Sequence, residues 1–210
     1  RGFMLSLFRR VVVSAFLTAF PAMSQDVAAP SMANVDLETE EGKALERYQQ
    51  AIDRVEMLGC VLGTMIRLEM KGRETREIVA AMIVRMNSAP PPRMLELCPP
   101  DYRKTFEACR EESARLLDRM KTKKMDDEQF DKVFKEYCNR CNEMNAPMME
   151  KYRLRERSSL FFRMLESKVI GLNREERMKA LQRMKDDLIA GKLKIPGENE
   201  GMEEETGLIR

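Results

Sequence analysis

Residues 101–144 read DYRKTFEACREESARLLDRMKTKKMDDEQFDKVFKEYCNRCNEM, and two helical periods in this stretch set the fold class. Tyr102, Phe106, Cys109, Ser113, Leu116 and Met120 step by three and four residues, the spacing that stacks side chains on one helix face. After the lysine-rich turn Lys121 to Lys124, Asp126 is followed three residues later by Gln129. That is the spacing of a capping box, whose side chains satisfy the free amides of a helix start. Phe130, Phe134, Tyr137, Cys141 and Met144 carry the next stripe, and Asn145-Ala146-Pro147 is expected to end it.

If these two helices fold back on each other about the turn, each step back on one is a step forward on the other. The facing pairs are then Met120 with Phe130, Leu116 with Phe134, Ser113 with Tyr137, Cys109 with Cys141, and Phe106 with Met144. Small Ser113 falls opposite bulky Tyr137, as interdigitation prefers. The register makes Cys109–Cys141 the expected disulfide, with Cys109–Cys138 next. Cys98 lies about fourteen residues from the level of Cys138, or roughly 21 Å at ~1.5 Å per residue. A disulfide tolerates no more than ~7 Å between α-carbons. Cys98 is therefore assigned to Cys60, leaving Cys138 unpaired among the five cysteines. The segment Cys138-Asn139-Arg140-Cys141 has the spacing of a redox pair, but that chemistry uses a thiol at a helix amino terminus. Here the pair sits well inside an expected helix with no strand before it, so a structural role is favoured.

Outward from this hairpin the same period continues. Leu45, Tyr48, Ile52, Val55, Gly59, Leu62 and Ile66 form one face of a helix beginning near Thr39, with Gly59 and Gly63 expected to kink it or admit a close neighbour. Gly72 is the expected stop. Ile78, Val79, Met82, Ile83 and Met86 mark a second helix, broken by Ser88 through Pro92. A fifth helix is expected from about Met148 to Leu172, and a sixth after Asn173 and Glu176, a second capping box, with Met178, Leu181, Met184 and Leu188 inward and Gly191 as terminator. The two boxes, Met125-Asp126-x-x-Gln129 and Leu172-Asn173-x-x-Glu176, are similar in spacing to the Leu-Thr-x-x-Gln repeats of the small helical periplasmic chaperones typified by Spy. Neither box holds the threonine, and the cysteines are foreign to that pattern, so no function is carried over. The expectation is an all-α fold: a single bundle of five to six mostly antiparallel helices over residues 39–195.

Composition agrees. The 210 residues are 43% hydrophobic and only 6% aromatic, with 18 Met and no Trp, a mixture that favours helix over strand. At the amino terminus, Met4 reads as a start, Arg9-Arg10 closes a short basic region, Val11 to Phe20 is apolar on all sides, and Ala22 and Ser24 supply small residues before Gln25. This is the order of a secretory signal over residues 1–24, too short to span a bilayer, which needs ~20 apolar residues. Residues 25–38 read as a linker and residues 196–210 as an acidic, disordered tail. The inferred compartment is periplasmic or extracellular, where cysteines oxidise, with no transmembrane anchor left after cleavage.

Several chemistries drop out. Histidine is absent, which removes Ser-His-Asp and Cys-His catalysis and imidazole-bound zinc or haem. Setting aside Arg1, Arg9 and Arg10, 34 of the 37 basic residues face 35 acidic ones, a near-neutral body unlike that of a nucleic-acid protein held by phosphate charge. No phosphate loop is present. No enzyme activity and no cofactor are expected. Met82/Met86 and Met144/Met148 share helix faces in a way that suits copper(I), but a core stripe has the same spacing. Leu160, Phe161 and Phe162 cover more than one side of their helix, which is therefore central in the bundle or offers an apolar face to a partner. The function expected is protein binding or scaffolding, with a holdase-like chaperone or a copper(I) protein as alternatives.

Overall fold

The computed structural model describes residues 39–122, 125–193 and 195. The expected signal peptide, the linker, the acidic tail and the centre of the lysine-rich turn lie outside them. The described residues are 84% helical, with seven helices and no strand. These are α1 (Glu40–Glu69), α2 (Thr75–Ser88), α3 (Pro92–Glu96), α4 (Pro100–Thr122), α5 (Asp127–Lys151), α6 (Leu154–Val169) and α7 (Arg174–Ala190). Seven helices stand among the described residues where five to six were expected; α3 is an additional single turn in the proline-rich break, started by Pro92 in its first position.

Local signals place the ends. The Thr39 side chain accepts from the Gly42 amide at 3.0 Å, Asp126 accepts from Gln129 at 2.8 Å, and Asn173 with Glu176 completes a reciprocal capping box. Gly191 closes α7 with φ of 71°, a left-handed conformation that costs glycine nothing. One boundary differs from expectation. Helix α5 runs through Pro147 to Lys151, and the break falls instead at Tyr152 and Arg153, the latter with φ of 49°. Pro147 and Glu143 are both exposed, so the carbonyl that the proline leaves without a partner meets water. Met148 and Tyr152 beyond it are buried, and the Tyr152 hydroxyl donates to Asp101 at 2.9 Å while Lys151 Nζ lies 2.5 Å from the same carboxylate. Tertiary anchoring at the far end of the helix outweighs the proline's local cost.

The helices pack around two main apolar cores, and both α4 and α5 contribute to each. The first gathers Ile52, Leu58 and Val61 of α1 with Phe161 and Leu165 of α6, Leu181 and Leu188 of α7, and Tyr102 and Phe106 from the start of α4. The second joins Val79 and Ile83 of α2 to Cys109 and Leu116 of α4 and Phe130, Tyr137 and Cys141 of α5. A small cluster of Ile66 and Met82 links α1 to α2. The central helix is α1, buried on nearly all sides between Ala51 and Ile66 and packed against α2, α3, α6 and α7. Its Tyr48, expected inside, is 39% exposed, and Gln49 is buried in its stead.

Candidate functional site

The α4–α5 hairpin carries a buried polar pair at Ser113 and Tyr137, which face each other as the sequence implies. Ser113 Oγ and Tyr137 Oη are 2.8 Å apart, with Ser113 also donating to the Cys109 carbonyl at 2.8 Å. Phe130 stacks on Phe134 at 5.6 Å, and the Arg76 guanidinium of α2 covers Phe130 at 5.4 Å while bonding the Met125 carbonyl and Asp127. Phe106 and Met144, the last expected pair, divide between the two cores.

Next to the Ser113–Tyr137 layer are three thiols. Cys109 and Cys138 are almost fully buried and Cys141 wholly so. Cys109 and Cys141 share the second core, and Asn145 Nδ2 approaches Cys109 Sγ at 3.4 Å. This arrangement makes the two sulfurs unequal. Interaction with Cys109, helped by the Tyr137 hydroxyl, holds the Cys141 thiol below its ordinary range in spite of burial. The same interaction and burial push Cys109 far up. Burial, with the charge of Cys141, pushes Cys138 to about 12.

All five cysteines are free thiols, so neither Cys109–Cys141 nor Cys60–Cys98 is joined. Cys109 and Cys141 are nevertheless partners across the seam. Cys60 and Cys98 share the first core, but the Cys98 thiol is turned toward the Met94 carbonyl, 3.6 Å away in its own helical turn. Burial pushes both to about 12, keeping them protonated and unreactive.

Beside the thiols, on the hairpin's outer side, Glu112 is 8% exposed and accepts from Arg140 Nε at 2.8 Å and from Arg115. These residues line an open groove of about 330 Å³ with Leu116 and Val133 as floor and Arg119 completing the rim. Arg119 makes no ion pair among the described residues.

Acids on α1 form a second polar group that periodicity did not reveal. Asp53, 1% exposed, is clasped by the Arg157 guanidinium of α6 and accepts from Gln49 at 2.9 Å. One turn on, Glu56 accepts from the Tyr102 hydroxyl at 2.6 Å through Oε1, while Oε2 is buried without a partner. Burial, reinforced by the negative Asp53 and opposed by the Tyr102 bond, raises the Glu56 carboxyl to about 7. Glu56 borders a cavity of about 20 Å³ between α1, Met86, Pro90 and Phe106, room for a single water.

The aromatic cluster of α6 faces inward. Phe161 is wholly buried in the first core, and Leu160 and Phe162 are half-buried, Phe162 against that core. Burying such a side chain stabilises the fold by about 2–3 kcal/mol. This face therefore holds α6 against its neighbours, and a partner surface at Phe161 is replaced by core packing. Met82 and Met86 point their methyls at Gly63 and Gly59 of α1. A Cβ built on either glycine would stand 3.5 and 3.4 Å from those methyls, in ordinary contact, so the approach is close without requiring glycine. No group of three or more Cys, Asp or Glu able to hold a metal ion occurs among the described residues, and no helix there is long and apolar enough to cross a membrane. No family model, curated protein or solved structure matches this chain.

Proposed function

We propose that this chain is an exported, helical protein-binding or scaffold module that receives an acidic segment of a partner in the α4–α5 groove. The observation that carries the reading is the groove's composition, a rim of Arg115, Arg119 and Arg140 over an apolar floor of Leu116 and Val133. Arginine forks match carboxylates in two-point contacts, and an apolar floor favours a peptide with hydrophobic side chains between its acids. Glu112 neutralises part of the rim and orients two of the three arginines, leaving Arg119 uncommitted. Export rests on the order of residues 1–24, and mass spectrometry of the native amino terminus tests it: a chain beginning at Gln25 supports it, an intact leader overturns it.

A fluorescent peptide alternating Glu and Leu is the probe for the groove. Binding is expected to weaken as salt rises and to fall at least tenfold in Arg119→Glu. Equal binding by that variant, or equal binding of a Lys/Leu peptide, removes the proposal, and preferential binding of a single-stranded oligonucleotide reassigns the groove to phosphate. A holdase-like chaperone is the second reading, favoured by exposed Val84, Leu97 and Ile170. It requires suppression of aggregation of an unrelated unfolding protein near equimolar ratio. A copper(I) protein has less support, because Met82 is buried at the α1–α2 contact. Tight copper(I) binding lost in Met82→Leu/Met86→Leu would restore it.

A further inference from the structure

The Ser113–Tyr137 layer, buried and polar, crosses the hairpin seam one step from two thiols, and that geometry has a covalent consequence. We infer that Cys109 and Cys141 are the oxidation site of this protein, closing to a disulfide that staples α4 to α5, while Cys138, Cys60 and Cys98 stay reduced. Three observations converge on this pair. The Ser113–Tyr137 bond at 2.8 Å fixes the register one layer away, so the two cysteines are held opposite each other by structure outside themselves. Both sulfurs are buried in the same core, and Asn145 Nδ2 at 3.4 Å orients Cys109 Sγ. Cys138 is on the same helix as Cys141 but off the register that the Ser113–Tyr137 bond sets, and the Cys98 thiol is turned to the Met94 carbonyl.

The oxidant is a small disulfide such as oxidised glutathione. Cys141 gives up its proton to solvent, and its thiolate attacks one sulfur of the small disulfide. The S–S bond breaks, one small thiolate leaves and takes up a proton, and a mixed disulfide remains on Cys141. Cys109 then loses its proton and attacks the Cys141 sulfur, forming the Cys109–Cys141 bond and expelling the second small thiol. Two protein thiols and one small disulfide become one protein disulfide and two small thiols, with two electrons transferred. Because both sulfurs are buried, exchange requires the hairpin to open or to be still folding, so reaction on the folded protein is slow and reaction during refolding fast.

The test is refolding of the reduced chain in oxidised and reduced glutathione, alkylation of the remaining thiols, and peptide mapping without reduction. The expected product has three alkylated cysteines, a single Cys109–Cys141 cross-link, and a thermal midpoint several degrees above that of the reduced chain. Cys138→Ser should leave this cross-link intact and Cys141→Ser should abolish it. Five alkylated cysteines, or a dominant cross-link through Cys138 or Cys98, overturn the assignment. Because the reaction is run on purified protein, its outcome is independent of the groove and of export.

Discussion

Glu56 is the side chain whose replacement tests the physical reasoning most directly. It is 5% exposed, one carboxylate oxygen has no partner, and its proton is held to about 7 in place of the ordinary 4.5. Below about pH 4.5 folded and unfolded chains both keep the proton, and the group adds no pH dependence. Between about 4.5 and 7 the unfolded chain releases it while the folded chain retains it, so stability falls as pH rises, and above about 7 the loss levels off. At ~1.4 kcal/mol per pH unit the accumulated loss is about 3 kcal/mol. Glu56→Gln keeps an acceptor for the Tyr102 hydroxyl and carries no charge at any pH. Urea unfolding of both proteins, followed by circular dichroism at steps from about pH 4.5 to about 8, isolates the effect. The advantage of the glutamine variant should grow across that range by about 3 kcal/mol, with its steepest change below about pH 7. A stability difference that stays constant with pH would show that Glu56 ionises as a hydrated carboxyl does, and would refute the argument from burial.

Other substitutions probe the remaining polar contacts and the central helix. Asp53→Ala leaves the Arg157 guanidinium buried without its carboxylate and should cost about 3–5 kcal/mol in denaturant unfolding, much of it recovered in Asp53→Leu/Arg157→Met. Ser113→Ala removes the 2.8 Å partner of the Tyr137 hydroxyl and should cost about 0.5–1.5 kcal/mol, whereas adding Tyr137→Phe to it should restore part of the loss. Gly63→Ala places a methyl in ordinary contact with Met82 and gains helix propensity, so the thermal midpoint should rise, by the equivalent of about 0.5–1 kcal/mol.

Features encoded within a few residues were legible in the sequence. The caps at Asp126 and Asn173, the terminator at Gly191 and the inward stripes of α4 and α5 depend on local spacing, and the facing of Ser113 and Tyr137 followed from two such stripes joined by a short turn. What escaped notice depends on partners far along the chain. Helix α5 passes Pro147 because Tyr152 finds Asp101, 51 residues away, and Asp53 is tolerated inside because Arg157 arrives from 104 residues on. A charged residue in an apolar face reads as a gap in the stripe until its counter-ion is placed. Phe161 and Phe162 posed the converse problem: excess apolar surface marks a contact without saying whether the other side belongs to the same molecule. The groove was equally invisible, since Arg115 and Arg119 belong to one helix and Arg140 to another.

Helix α4 is seated in both apolar cores, Tyr102 and Phe106 at one end and Cys109 and Leu116 at the other. A rigid rod shared in this way ties two reservoirs of buried surface to a common fate, since neither can take on water without loosening the beam that crosses into its neighbour. The molecule should consequently melt in a single transition, and amide exchange at the two ends of that beam should slow and quicken together.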